Sequence, residues 1–166
     1  MDHVLQIELD RYIHEVYVPR EREKSPGPAA EEKGQDPFSL RGEGLSLSDL
    51  VLKVGETFHE MLFRKIAESG MSEAEVYKKA GIDRKLFSKI RTNPAYHPRK
   101  HTVISLALAM ELSPQEAEEF LKRAGYAFSP GSKSDLIVKF FISHGVYDLM
   151  QINAALNELG EDTLCS

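Results

Sequence analysis

The sequence predicts an all-α fold: a compact domain of about seven helices, preceded by a flexible linker and an N-terminal amphipathic helix. Three observations carry this. Large apolar residues recur at three- and four-residue spacing in nearly every segment outside 19–44. Helix-starting and helix-stopping residues bracket those segments. No run alternates apolar and polar residues as a half-buried strand does, and no repeat divides the chain.

The first element is residues 3–18, where Leu5, Leu9, Tyr12, Ile13, Val16 and Tyr17 share one helical face ahead of Pro19. A helix this short needs a surface to lie on, in its own domain, a second copy or a partner. Residues 19–44 are rich in Pro, Gly, Glu, Lys and Ser, and read as a flexible linker. From 45 the helical pattern is dense. Phe58, Met61, Leu62 and Ile66 form a stripe closed by Gly70. "MSEAEVYKKAG" opens with a capping box, Ser72 and Glu75, and stops at Gly81. "DRKLFSKIRT" has Asp83 at the N-cap, with Phe87 and Ile90 facing inward. "TVISLALAMEL" is apolar nearly all round and predicts the buried central helix. "SPQEAEEFLKRAGY" starts with Ser113 as cap, Pro114 at the first helical position and Glu116 closing the box. Leu136, Ile137, Phe140 and Phe141 mark the next helix, and Leu149, Ile152, Leu156 and Leu159 the last. The expected organisation is an amphipathic helix at 1–18, a linker at 19–44, a core at 45–113 and a helical extension of the same domain at 114–160.

Formal charge is −5, but it is zoned. Residues 1–50 hold six basic and eleven acidic side chains, residues 72–103 eight and three, and residues 135–166 one and five. Local charge says more about nucleic-acid contact than the pI does. The basic zone peaks in "GIDRKLFSKIRTNPAYHPRK", where Arg84, Lys85, Lys89, Arg91, Arg99 and Lys100 stand against one acid, Asp83. The single cysteine, Cys165, excludes an intrachain disulfide and fits a reducing cytosol. No apolar run is long enough to span a bilayer, and the N-terminus has no basic region leading into an apolar one. The reading is a soluble cytoplasmic protein that does not enter membranes.

"SEAEVYKKAGIDRKLFSKIRTNPAYHPRKHTVISLALAMELS" resembles the helix-turn-helix of the XRE family, the phage repressor and Cro-like proteins, over roughly residues 56–113. Gly81 stands at the turn, "FSKI" at the family's hydrophobic–Ser–basic–hydrophobic step, Pro98 before the next helix, and "TVISLALAMELS" at the closing apolar helix. Residues 58–160 also resemble an all-helical bacterial module of no settled function, found alone or fused to macro domains. The XRE resemblance implies a second helix lying in the major groove, with Arg84, Lys85 and Lys89 meeting base edges. It implies backbone contacts from Ser88, Arg91, Thr92, Asn93, Arg99 and Lys100, which fix register without reading sequence. Three positions depart from the family: Glu73 where Gln contacts phosphate, Tyr77 where a small residue lets the helices cross, and Leu86 where a polar, groove-facing side chain is common; an exposed Leu between two cations suits a protein contact as well as a thymine methyl.

Other chemistry is thinly represented. His97 and His101 lack further ligands at metal spacing and read as loop histidines. Glu116, Glu118 and Glu119 are the acidic first turns that a helix dipole favours. Ser88 and Ser105 have no defensible His and Asp partners, and no Gly-rich phosphate loop follows a strand. Neither an enzyme, a metal nor a cofactor is expected. Tyr126, Phe128, Phe140, Phe141 and Tyr147 read as core, or as a groove for a partner helix that residues 3–18 could occupy in cis or from a second subunit. The first expectation is a sequence-specific DNA-binding transcriptional regulator. The second is a helical adaptor that keeps this fold, holds a protein partner or a second copy through residues 3–18 or the C-terminal helices, and does not bind DNA.

Overall fold

Short amphipathic helices with strong caps cannot stand alone, and here they close around one another. A computed structural model describes residues 3–19 and 55–164. The linker at 20–44, the start of the core at 45–54, and Cys165 lie outside the described residues. Apart from Gly55, the described residues belong to one unit. They form eight helices and no strand: α1 His3–Val16, α2 Phe58–Ser69, α3 Glu73–Lys79, α4 Arg84–Thr92, α5 Lys100–Ala109, α6 Pro114–Arg123, α7 Lys133–Ser143 and α8 Leu149–Glu158.

Local chemistry sets the boundaries. Capping boxes start α2 (Thr57 with Glu60), α3 (Ser72 with Glu75) and α6 (Ser113 with Glu116), each satisfying two backbone amides that no helical carbonyl reaches. Asp148 caps α8 through the amides of Met150 and Gln151. Asp83 occupies the N-cap position of α4 but makes no side-chain cap bond, unlike the reading above. α3 ends in a Schellman motif. The amide of Gly81 donates to the Lys78 carbonyl at 3.0 Å and that of Ile82 to the Tyr77 carbonyl at 2.9 Å. Gly81 holds φ 64°, a left-handed conformation that a side chain would strain.

α5 is the centre, with Val103 through Met110 all buried. It packs on α3 and α6, and α6 in turn meets α2 and α7. Phe58 of α2 lies on Phe120 of α6, ring centroids 4.9 Å apart. α7 is buried from Asp135 to Val138 and from Phe140 to Ile142, so it needs cover on several sides. α8 supplies one side and α1 another. Leu9 and Ile13 of α1 are buried, Tyr12 meets Phe140 at 5.5 Å, Gln6 donates to Glu158, and the Val18 amide donates to the Pro130 carbonyl. The N-terminal helix therefore sits on its own domain in cis. Its outer side leaves Val4 and Ile7 exposed.

Candidate nucleic-acid interface

α4 is anchored by Phe87 and Ile90, both buried, with the Phe87 ring against Tyr77 of α3 and Phe63 of α2. His59 of α2 adds a polar tie. Its Nε2 lies 3.1 Å from the Arg91 carbonyl, which can only accept, so that nitrogen donates. With this face inward, helical geometry turns Arg84, Lys85, Ser88, Lys89 and Thr92 outward, and all five are exposed. Leu86 does not join them. It lies one turn before Ile90 on the edge of the buried stripe, is half-buried and packs on the core, so the reading of an exposed Leu between two cations is corrected.

The cations of this stretch do not act alike. Arg84, Lys85 and Arg99 have no ion-pair partner among the described residues. The Lys89 ammonium stands 4.5 Å from the Tyr96 ring centroid, a cation–π contact that steadies it while leaving its charge intact. Arg91 donates to the Glu73 carboxylate at 3.1 Å. Lys100 points away to α7, where Asp135 holds its ammonium at 2.5 Å and also accepts the Ser129 amide at 2.8 Å. Lys100, expected at phosphate, is thus committed to a carboxylate whose side chain is only 5% exposed. Arg99 lines a cleft with Lys100, His101 and the acid Asp162, so its surroundings are mixed in sign.

The remaining expected contacts are partly used within the chain. The Thr92 hydroxyl donates to the Ser88 carbonyl, and the Asn93 side-chain oxygen accepts the Ala95 amide, turning the chain out of α4. The following loop is pinned to the end of α6. His97 Nε2 donates to the Ala124 carbonyl at 2.6 Å, and the Tyr126 hydroxyl donates to the Pro98 carbonyl at 2.9 Å. These contacts give His97 a structural place. Among the described residues no three His, Cys, Asp or Glu side chains come together as a metal would need.

Among the groups whose acidity is altered are two in the seam between α2 and α6. Glu116 is held down at about 2, first by the Lys65 ammonium and then by the amide and hydroxyl of Ser113. Lys65 is raised by the same bond and by Glu68. That seam is structural, since Lys65 bridges the two helices at 2.6 Å.

Sequence reading missed Glu73 as a clamp on Arg91, Tyr96 as the seat of Lys89, and Asp135 as the partner of Lys100. Tyr96 had a signal in the stretch itself, an aromatic ring beside the cations, whereas Glu73 stands on the preceding helix, 18 positions from Arg91. Asp135 had none, being 35 positions from Lys100. No protein-family model, curated protein or solved structure matched this chain. No helix among the described residues is long and apolar enough to cross a membrane.

Proposed function

We propose that α3, the Gly81 turn and α4 form a helix-turn-helix of the XRE kind, and that the chain is a sequence-specific DNA-binding transcriptional regulator without catalytic activity. One observation carries the reading: α4 is fixed by Phe87 and Ile90 while Arg84, Lys85 and Lys89 stand outward with their charge uncompensated by any carboxylate among the described residues. Such a helix suits the major groove, where arginine meets the paired acceptors of guanine. Ser88 is the polar neighbour available to the backbone, since the Thr92 hydroxyl already donates to the Ser88 carbonyl. Two half-sites bound by a dimer would supply the affinity that one short helix lacks.

A second reading, the helical adaptor, is favoured by the carboxylates that neutralise Arg91 and Lys100, and by Met150, which is 82% exposed at the start of α8. Fluorescence anisotropy of a labelled random duplex separates the two. The DNA reading expects binding at low salt with a log–log salt slope of about −3 or steeper, from at least three phosphate contacts. It also expects that binding to vanish in Arg84→Glu with Lys89→Glu. Folded protein that binds no duplex even at low salt rejects the DNA reading and leaves the adaptor.

A further inference from the structure

Arg84, Ser88 and Arg91 lie on one stripe of α4, at positions i, i+4 and i+7. Together with Tyr77, Phe87 and Glu73 they line a small cleft of about 130 Å³ between α3 and α4. Two guanidinium groups and a hydroxyl converging on one cleft make a site that selects an oxyanion. The structure already holds one there: the Glu73 carboxylate, a planar oxyanion hydrogen-bonded to Arg91 at 3.1 Å. The pair is half-open, with the Arg91 and Glu73 side chains 57% and 39% exposed. An incoming anion can therefore reach Arg91 without unpacking the core.

We propose that this cleft is a phosphodiester-binding seat and that Glu73 is its internal competitor. The inference rests on the DNA reading and deepens it. Arg84 moves from the base-reading set to the backbone set, leaving Lys85 and Lys89 as the outward cations of the next stripe. A backbone phosphate enters between Arg84 and Arg91, with Ser88 donating its hydroxyl, and Glu73 swings out into water. Glu73 opposes this in two ways. It occupies the donor of Arg91, and its charge repels the phosphate. A short surface pair of this exposure costs little to break, so the competition weakens binding rather than preventing it. Its effect is discrimination: a weak anion does not displace Glu73, whereas a phosphate held in place by neighbouring contacts does.

The test is the duplex anisotropy titration repeated on Glu73→Ala over a range of NaCl concentrations. Glu73 lies outside the capping bond of α3, which Ser72 and Glu75 make, so thermal melting should place this variant within a few degrees of wild type. The proposal expects Glu73→Ala to bind about five- to tenfold more tightly at low salt, as removal of one charge near a phosphate implies. It expects the salt slope to stay near the wild-type value, because the phosphate is seated in both proteins. Arg91→Ala added to Glu73→Ala should abolish the gain in affinity. Glu73→Gln, which keeps the shape and loses the charge, should follow Glu73→Ala. Wild-type affinity in Glu73→Ala, with binding still abolished by Arg84→Glu and Lys89→Glu, overturns the seat and spares the DNA reading. Absence of binding in wild type and Glu73→Ala alike overturns both. Binding seen only in Glu73→Ala rejects the DNA reading for this chain, and with it the seat.

Discussion

Asp135 joins the region after the basic helix to the C-terminal helices, and its removal should be costly. Its side chain is nearly out of solvent, accepting the Lys100 ammonium and the Ser129 amide on one oxygen. Asp135→Ala leaves the Ser129 N–H without a partner, worth about 1 kcal/mol for a half-buried donor, the low end of the buried range. It also strands the Lys100 charge. Breaking one side of a fully buried pair costs about 3–5 kcal/mol, but the Lys100 side chain is 27% exposed and can turn to water, so that loss falls below the range. A total of about 3 kcal/mol follows, a drop in Tm of about 9 °C for a chain of this length. Asp135→Asn keeps an acceptor for Ser129 and should lose less. Lys100→Met keeps the aliphatic stem but abandons a carboxylate that cannot relax to solvent, so it should cost at least as much as Asp135→Ala. Urea unfolding followed by circular dichroism, with m checked for constancy, gives each value, and the double variant gives the coupling. A loss under about 1 kcal/mol for Asp135→Ala, or strict additivity with Lys100→Met, would refute the claim that this pair ties α5 to α7.

Three further outcomes follow from the same contacts. Glu116 has a folded pKa of about 2 against the usual 4.5, so the unfolded chain binds the proton more readily. Its contribution is complete above about pH 4.5 and lost as pH falls towards 2. With the carboxylate 43% exposed, screening reduces it to about 1 kcal/mol, and Glu116→Gln should flatten the acid limb of a stability–pH curve by that amount. Ser105 is buried in α5 with its hydroxyl unpaired among the described residues. Ser105→Ala should therefore stabilise by about 1 kcal/mol in thermal melting, and a lower Tm would contradict the assignment. Leu9 is wholly buried, yet α1 packs chiefly on α7 alone. Leu9→Ala should lower hydrogen-exchange protection across 3–16 by about tenfold or more while α5 and α6 keep theirs, and uniform loss of protection would show α1 to be part of the main cooperative unit.

What could be read from sequence follows from the range of each interaction. The helical class was legible because apolar spacing is a property of one segment at a time. So were the Ser72 and Ser113 boxes, whose partners are three residues away. The Thr57 box on α2 is equally local, its partner Glu60 three residues away, but it stands just ahead of the apolar stripe that begins at Phe58 and is masked by it. Asp83 shows the limit of such rules, since the right residue at the right place makes no cap bond. Leu86 is half-buried where its sequence neighbours suggest exposure: one turn from Ile90, it falls on the margin of the buried stripe, where packing partners decide. The candidate site was legible as a run of charge and illegible as a pattern of free and paired cations. Pairing depends on what another helix brings near, Glu73 for Arg91 and Asp135 for Lys100. Six cations close in sequence are thus not one patch: those of α4 face outward, while Lys100 belongs to the interior seam with α7.

The central claim is that the outward face of α4 meets the DNA backbone and bases. The most direct measurement is an amide NMR titration of the labelled protein with a random duplex at low salt. The account predicts shifts concentrated at residues 82–93, with the C-terminal helix α8 unmoved. Shifts centred on α8 and the exposed side of α1, or none with the protein folded, would contradict it.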